Sequence, residues 1–109
     1  MANKHIQFKN VTGAVAIAST LAPAAPFRLL GIRIHLSAAG GAGNFTVQMD
    51  ASAGAAYDTV LFTQDMTSVV DLEWQPDSPM EFAIGDELDF AWANASTRTY
   101  GMTIIYEID

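Results

Sequence analysis

The chain has 109 residues, half of them apolar and 16% charged, and no cysteine, which excludes disulfides, thiolate catalysis and cysteine-ligated zinc and leaves one domain held by packing or by oligomerisation. Its net charge of −7 is uneven: residues 1–49 carry Lys4, Lys9, Arg28 and Arg33 and no acid, while residues 50–109 carry all 12 acids and Arg98. The acidic part argues against nucleic-acid binding, and without a membrane-length apolar run or a signal-peptide core the expectation is a protein made and used in soluble form.

Along the chain, Ile6 to Phe8 and Val11 to Ile17 are weak strand candidates, followed by a stretch containing Pro23 and Pro26 through which neither a helix nor a central strand continues. Residues 1–26 therefore read as an N-terminal arm or edge segment, and residues 27–109 as the body. The first strong strand is Phe27 to Leu36, with Leu30, Ile32, Ile34 and Leu36 on one side and Arg33 and His35 on the other. Ser37 to Asn44 is a flexible connection rich in residues that tolerate positive φ. Phe45, Val47 and Met49 then alternate with Thr46, Gln48 and Asp50. A loop over 51–56 leads into strand Tyr57 to Thr63, and strand Val69 to Trp74 sets Val70, Leu72 and Trp74 against Asp71 and Glu73.

Gln75 to Pro79 is a turn and Met80 to Ile84 a short strand. Gly85-Asp86 reads as a hairpin connection into Glu87 to Ala93. Asn94 to Arg98 closes the last hairpin into Thr99 to Asp109, where apolar side chains recur at every second position. Seven strands from Phe27 onward, and an eighth from the N-terminal segment, predict an all-β antiparallel sandwich, an eight-stranded jelly roll with an extended arm. Asp71, Glu73, Glu81, Asp89 and Glu107 belong on outer faces, where they oppose edge-to-edge aggregation. Phe45, Phe62, Trp74, Phe82, Phe90, Trp92 and Tyr106 belong between the sheets.

Candidate chemistry is sparse. His35 shares a polar strand face with Arg33 and reads as solvated; only a buried cluster joining it to an acid and a serine would make a triad, and no serine sits in a Gly-x-Ser-x-Gly elbow. Asp86, Glu87 and Asp89 are the densest acids, but their spacing is not that of a calcium loop, so they read as a solvated face starting at a turn. Gly40-Gly41-Ala42-Gly43 lacks the Gly-Lys-Ser/Thr of a phosphate cradle and reads as a mobile hairpin connection. Asn94-Ala95-Ser96 matches a glycosylation acceptor and is read as a turn. Trp74 and Trp92 fall in phase with apolar faces and read as core. The expectation is a protein that is not an enzyme, with no catalytic, cofactor-binding or metal-binding residues.

Three runs carry a family likeness: Phe27 to Val47, through Gly31-Ile32-Arg33-Ile34-His35-Leu36 and Gly40-Gly41-Ala42-Gly43-Asn44-Phe45; Ala55 to Leu61, through Ala56-Tyr57-Asp58-Thr59-Val60; and Gly85-Asp86-Glu87-Leu88-Asp89-Phe90-Ala91-Trp92-Ala93-Asn94. Together they resemble the small virion proteins encoded among the head genes of tailed bacteriophages, and among those the capsid decoration, or cement, proteins with a jelly-roll body. The likeness spans about residues 27–108 and leaves out the arm.

The resemblance implies a protein on the capsid exterior, made in the host cytoplasm, that bridges major capsid subunits and strengthens the shell against internal DNA pressure. Its partners would be the major capsid protein and itself, as a homodimer or homotrimer, with neither nucleic acid nor membrane. The arm, through Phe8, Val11, Val15, Ile17 and Leu21, is expected to contact the shell or a sister subunit. Deleting residues 2–20 should then abolish binding and leave the body folded. The competing expectation is a carbohydrate- or receptor-binding sandwich of a tail or virion, with sugars stacked on exposed Trp74 or Trp92.

Overall fold

Side chains that alternate between apolar and polar hold the backbone extended, because each face of a strand then meets one solvent. In the computed structural model, which describes residues 5–108, they form nine strands: β1 His5–Gly13, β2 Ile17–Leu21, β3 Phe27–Leu36, β4 Asn44–Asp50, β5 Thr59–Asp65, β6 Asp71–Trp74, β7 Met80–Phe82, β8 Glu87–Trp92 and β9 Tyr100–Ile108. The helical content among these residues is a single 3-10 turn, Ala55–Tyr57, and no helix is long and apolar enough to cross a membrane.

Two antiparallel sheets result. Sheet one runs β1-β9-β3-β6, with β7 also on β3, and sheet two runs β2-β8-β4-β5. Their inner faces meet in one core, to which sheet one contributes Leu29, Ile32, Ile34, Met102 and Ile104, and sheet two Ile17, Phe45, Val47, Leu88, Phe90 and Trp92, each at most 2% exposed. Of the expected core aromatics, Phe45, Phe82, Phe90 and Trp92 are buried, while Phe62, Trp74 and Tyr106 pack half-buried against the cluster. Phe62 of β5 and Trp74 of β6 stack with centroids 4.5 Å apart, so one aromatic pair closes that side of the sandwich across both sheets. On the opposite side Lys9 Nζ reaches from β1 to the Thr20 carbonyl of β2 at 2.6 Å, a charge placed between the two edge strands.

Of the arm or edge segment expected over residues 1–26, the described residues from His5 onward include two edge strands. β1 pairs with β9 over its whole length, and β2 pairs with β8 from Ile17↔Trp92 to Leu21↔Leu88. Both are edge strands, one in each sheet, and the prolines fall in the crossing between β2 and β3. The physical reason is burial: Ile17 and Leu21, separated by small residues, leave water entirely. This supplies two strands where one was expected, hence nine rather than eight. Residues 1–4 of the arm and Asp109 of the last strand lie outside the described residues.

Two further expectations change. Gly85-Asp86 and Asn94 to Arg98 do not close hairpins, because β8 belongs to one sheet and β7 and β9 to the other; both segments are corners that cross the core. The inward set of β3 also changes phase: the β3–β9 register slips between Leu29 and Gly31, so Phe27 and Leu29 point inward before the bulge and Ile32, Ile34 and Leu36 after it. Leu30 is left out of the inner row. The glycine connection likewise crosses between sheets and is pinned rather than mobile, with Gly40 N–H donating to Val69 O, Ser68 N–H to Gly40 O and Met66 N–H to Gly43 O. A side chain at Gly40 would run into the Met66 carbonyl, which is why glycine stands there.

Candidate functional site

The outer face of sheet one is a grid whose rows follow from register. Counting from β1, one row reads Ile6, Glu107, Arg28, Glu81; the next Phe8, Ile105, Gly31; the next Asn10, Thr103, Arg33, Glu73; the last Thr12, Gly101, His35, Asp71. The columns differ in chemistry: apolar and neutral on β1, basic on β3, acidic on β6 and β7. Arg28 donates to Glu81 Oε1 from Nε at 3.1 Å and Nη2 at 2.8 Å, and lies 3.8 Å from Glu107. His35 Nδ1 and Asp71 Oδ1 are 2.5 Å apart, and Thr103 donates to Asn10 at 2.8 Å. Exposed pairs of this kind add little stability, so their value is in what the face presents.

At the β1 margin the face is apolar. Ile6 and Phe8 are 57% and 59% exposed, and Ile105 lies beside Phe8 on β9. β9 is the one strand neighbour of β1 among the described residues, so the outward backbone of β1 is an open edge. Exposed large apolar groups on an open edge mark an interaction surface.

The residues expected to make the contact separate accordingly. Phe8 is exposed on this strip and Val15 is 71% exposed in the β1–β2 corner, but Val11 packs against the core, and Ile17 and Leu21, at 1% and 3%, are part of it. Ile17 and Leu21 are therefore corrected from contact to core residues, since a side chain buried between sheets meets no partner. Ile6 and Ile105 join the strip instead. Ile105 carried no sequence signal, as its neighbour Phe8 stands at the other end of the chain. The basic and acidic columns did leave one: Arg33-x-His35 and Asp71-x-Glu73 put like charges two apart, with opposite signs on the two strands, the pattern that cross-strand pairing rewards.

His35 and Asp71 are both more than two-thirds exposed, and among the described residues no hydrogen bond joins a serine to them. Asn94, the matched glycosylation acceptor, is 2% exposed with its amide nitrogen donating to Val15 O and Arg98 O, so the atom a glycan would occupy is enclosed. Trp92 is 2% exposed, and Trp74 is half-buried against the core with one face covered by Phe62, so neither ring is fully exposed as the sugar-platform expectation required.

The acid cluster at 86–89 does not converge, and no group of three potential metal-ligating side chains occurs among the described residues. Asp86 instead ties two loops together, accepting from Ser52 N–H at 2.9 Å, Ser52 Oγ at 3.1 Å and Ala83 N–H at 3.0 Å. The Ser52 backbone N–H is the main cause holding its carboxyl below the usual aspartate range, opposed by desolvation and helped by the Ala83 N–H and the Ser52 hydroxyl. Asp65 is lowered likewise, chiefly by the Thr67 backbone N–H. Because both folded values lie below the unfolded one of about 3.9, their contribution is complete above that pH and fades as pH falls through the folded values. Asp86→Ala is expected to cost about 1 kcal/mol of stability at neutral pH and to flatten the acid limb of a stability–pH curve measured by urea denaturation; an unchanged acid limb would contradict this.

No family model matches the chain, and no curated protein matches it. Solved structures that are similar to it include PirA, at 14% identity and TM-score 0.49 over 96% of each chain. A mitogen derived from Yersinia pseudotuberculosis follows at 11% identity and TM-score 0.42, over 100% of this chain and 88% of that one. The virus-like particle of extra small virus from the giant freshwater prawn Macrobrachium rosenbergii matches at 8% and 0.35, over 98% and 80%. Likeness at this level carries no functional argument, and the function is read from the surface.

Proposed function

We propose that this chain is a structural virion protein that binds the outside of a phage capsid and stabilises it by bridging major capsid subunits, acting as a homo-oligomer and without catalysis. The observation that carries the reading is the apolar strip Ile6, Phe8 and Ile105 along the open edge strand β1. An extended segment of a capsid subunit can add to that edge through main-chain hydrogen bonds while its side chains meet Phe8. Modest single contacts suffice where many copies sit on one shell. The jelly-roll reading of the fold belongs to the same proposal. It is supported by the facing orders β1-β9-β3-β6 and β2-β8-β4-β5, in which β6 and β7 share one flank of β3 and act as a single interrupted strand, giving eight positions.

The test is co-sedimentation with undecorated shells assembled from a tailed-phage major capsid protein. Phe8→Ser is expected to weaken binding about tenfold or more, as loss of a central aromatic anchor does, with thermal stability unchanged to within about 0.5 kcal/mol because the side chain is on the surface. Undiminished binding by Phe8→Ser and by Ile6→Ser/Phe8→Ser would overturn the assignment of the strip.

A further inference from the structure

Three basic residues of β3 stand opposite three acids on the outer face of sheet one: Arg28 opposite Glu81, Arg33 opposite Glu73, and His35 opposite Asp71. The two flanking pairs close, at 2.8 Å and 2.5 Å. The middle pair does not. Among the described residues neither Arg33 nor Glu73 makes an ion pair or a side-chain hydrogen bond, although register sets them side by side. The surface is hollow there: a depression of about 700 Å³ is lined by Arg33, Glu73, His35, Asp71, Gly101 and Thr103. A smaller one of about 240 Å³ shares Arg33 and Glu73 and extends to Gly31. Gly101 keeps the floor low, since a Cβ on it would meet nothing within 4 Å.

The chemistry of the hollow selects its ligand. A guanidinium offers only donors and a carboxylate only acceptors, so an open Arg–Glu pair fits a group that carries an acceptor and a donor on adjacent atoms. Asp71 is engaged by His35 and the open carboxylate of Glu73 stands opposite the Arg33 guanidinium, so neither a phosphate nor an ammonium ion meets an unopposed counter-charge. Vicinal hydroxyls of a sugar ring meet the requirement: one oxygen accepts from Arg33, and the neighbouring O–H donates to Glu73, both as charge-assisted bonds. We infer that this hollow is a binding site for neutral saccharides, with Arg33 and Glu73 as its binding residues and the missing side chain at Gly101 admitting the ring. Ile105 of the strip borders the smaller hollow, but Phe8 lines neither one, so the two bindings are tested through different side chains. With no aromatic floor, each site is weak, and multiple copies on one particle supply the avidity.

The full chain, multimerised on beads, would be screened against neutral and anionic glycans, and the strongest neutral binder titrated by saturation-transfer NMR. Arg33→Ala and Glu73→Gln are each expected to weaken binding at least tenfold. Gly101→Val is expected to abolish it by filling the floor, while melting like the parent because its Cβ enters open space on a strand. Phe8→Ser should bind glycan normally, which separates failure here from failure of the capsid reading. Absence of any neutral binder, a preference for anionic glycans, or binding that survives Gly101→Val and Arg33→Ala overturns the inference.

Discussion

Removal of residues 2–20 is expected to unfold the protein. The deletion takes β1 from β9 and all but the last residue of β2 from β8, so both sheets lose an edge strand at once. It also removes Ile17, 1% exposed in the structure, and uncovers the flank of Phe90 and Trp92 that pairs with β2. Truncating one buried isoleucine to alanine costs about 2–5 kcal/mol, against a total stability of about 5–15 kcal/mol for a domain of this kind. Losing two strands exceeds that margin. Circular dichroism and the dispersion of an amide NMR spectrum would report it, and a truncated chain with a cooperative melt near that of the parent would show that the strands are dispensable. A deletion therefore says nothing about capsid contact, which is why the point substitution at Phe8 is the informative experiment.

Asn94→Ala is expected to be the most damaging single polar substitution. The Asn94 amide nitrogen donates to Val15 O and Arg98 O, and its carbonyl oxygen accepts from Arg98 N–H, each at 2.9 Å. One side chain thus locks the β8–β9 corner and fastens it to the β1–β2 corner. The backbone sits at φ +50, where asparagine is tolerated and alanine is strained by about 1 kcal/mol. With part-buried backbone partners left unsatisfied at about 1–3 kcal/mol, the total is about 3 kcal/mol, or a fall in Tm on the order of 10–20 °C. Calorimetry of Asn94→Ala and Asn94→Gly separates the two causes: glycine should recover the backbone share and not the hydrogen bonds. An alanine variant as stable as the parent would show that water replaces all three bonds.

How much of this was legible in the sequence depended on what each signal encodes. Period-two alternation in 27–36, 44–50 and 100–108 marked strands, because that pattern depends only on the local backbone. Partnering was not legible. A short polar link such as Gly85-Asp86 looks alike whether it joins neighbours in one sheet or carries the chain across the core, and the hydrogen bonds that decide it come from distant segments, such as Ser52. The N-terminal strands were undervalued because Ala18, Ser19 and Thr20 between Ile17 and Leu21 dilute the apolar pattern, although burial depends on those two alone. Of the residues expected to make contact, Phe8 is exposed in the structure, while Ile17 and Leu21, drawn in by their hydrophobicity, are core. Whether an apolar residue packs inside or waits for a partner depends on the face its strand turns outward, and that is set by a partner strand far along the chain.

The placement of β9 between β1 and β3 also imposes an order in time. A nascent chain emerges from the ribosome at about 5–20 residues per second, and β1 is made long before the strand it pairs with. Sheet one has no centre until residues 100–108 are available, so β1 and β3 wait with their ladder edges open. Most pairings in such a topology are non-local, which places folding among the slower two-state domains. Emergence of β9 thus supplies the strand that turns the waiting edges into a sheet, and a chain stalled before β9 would present Phe8 on a strand with nothing to hold it.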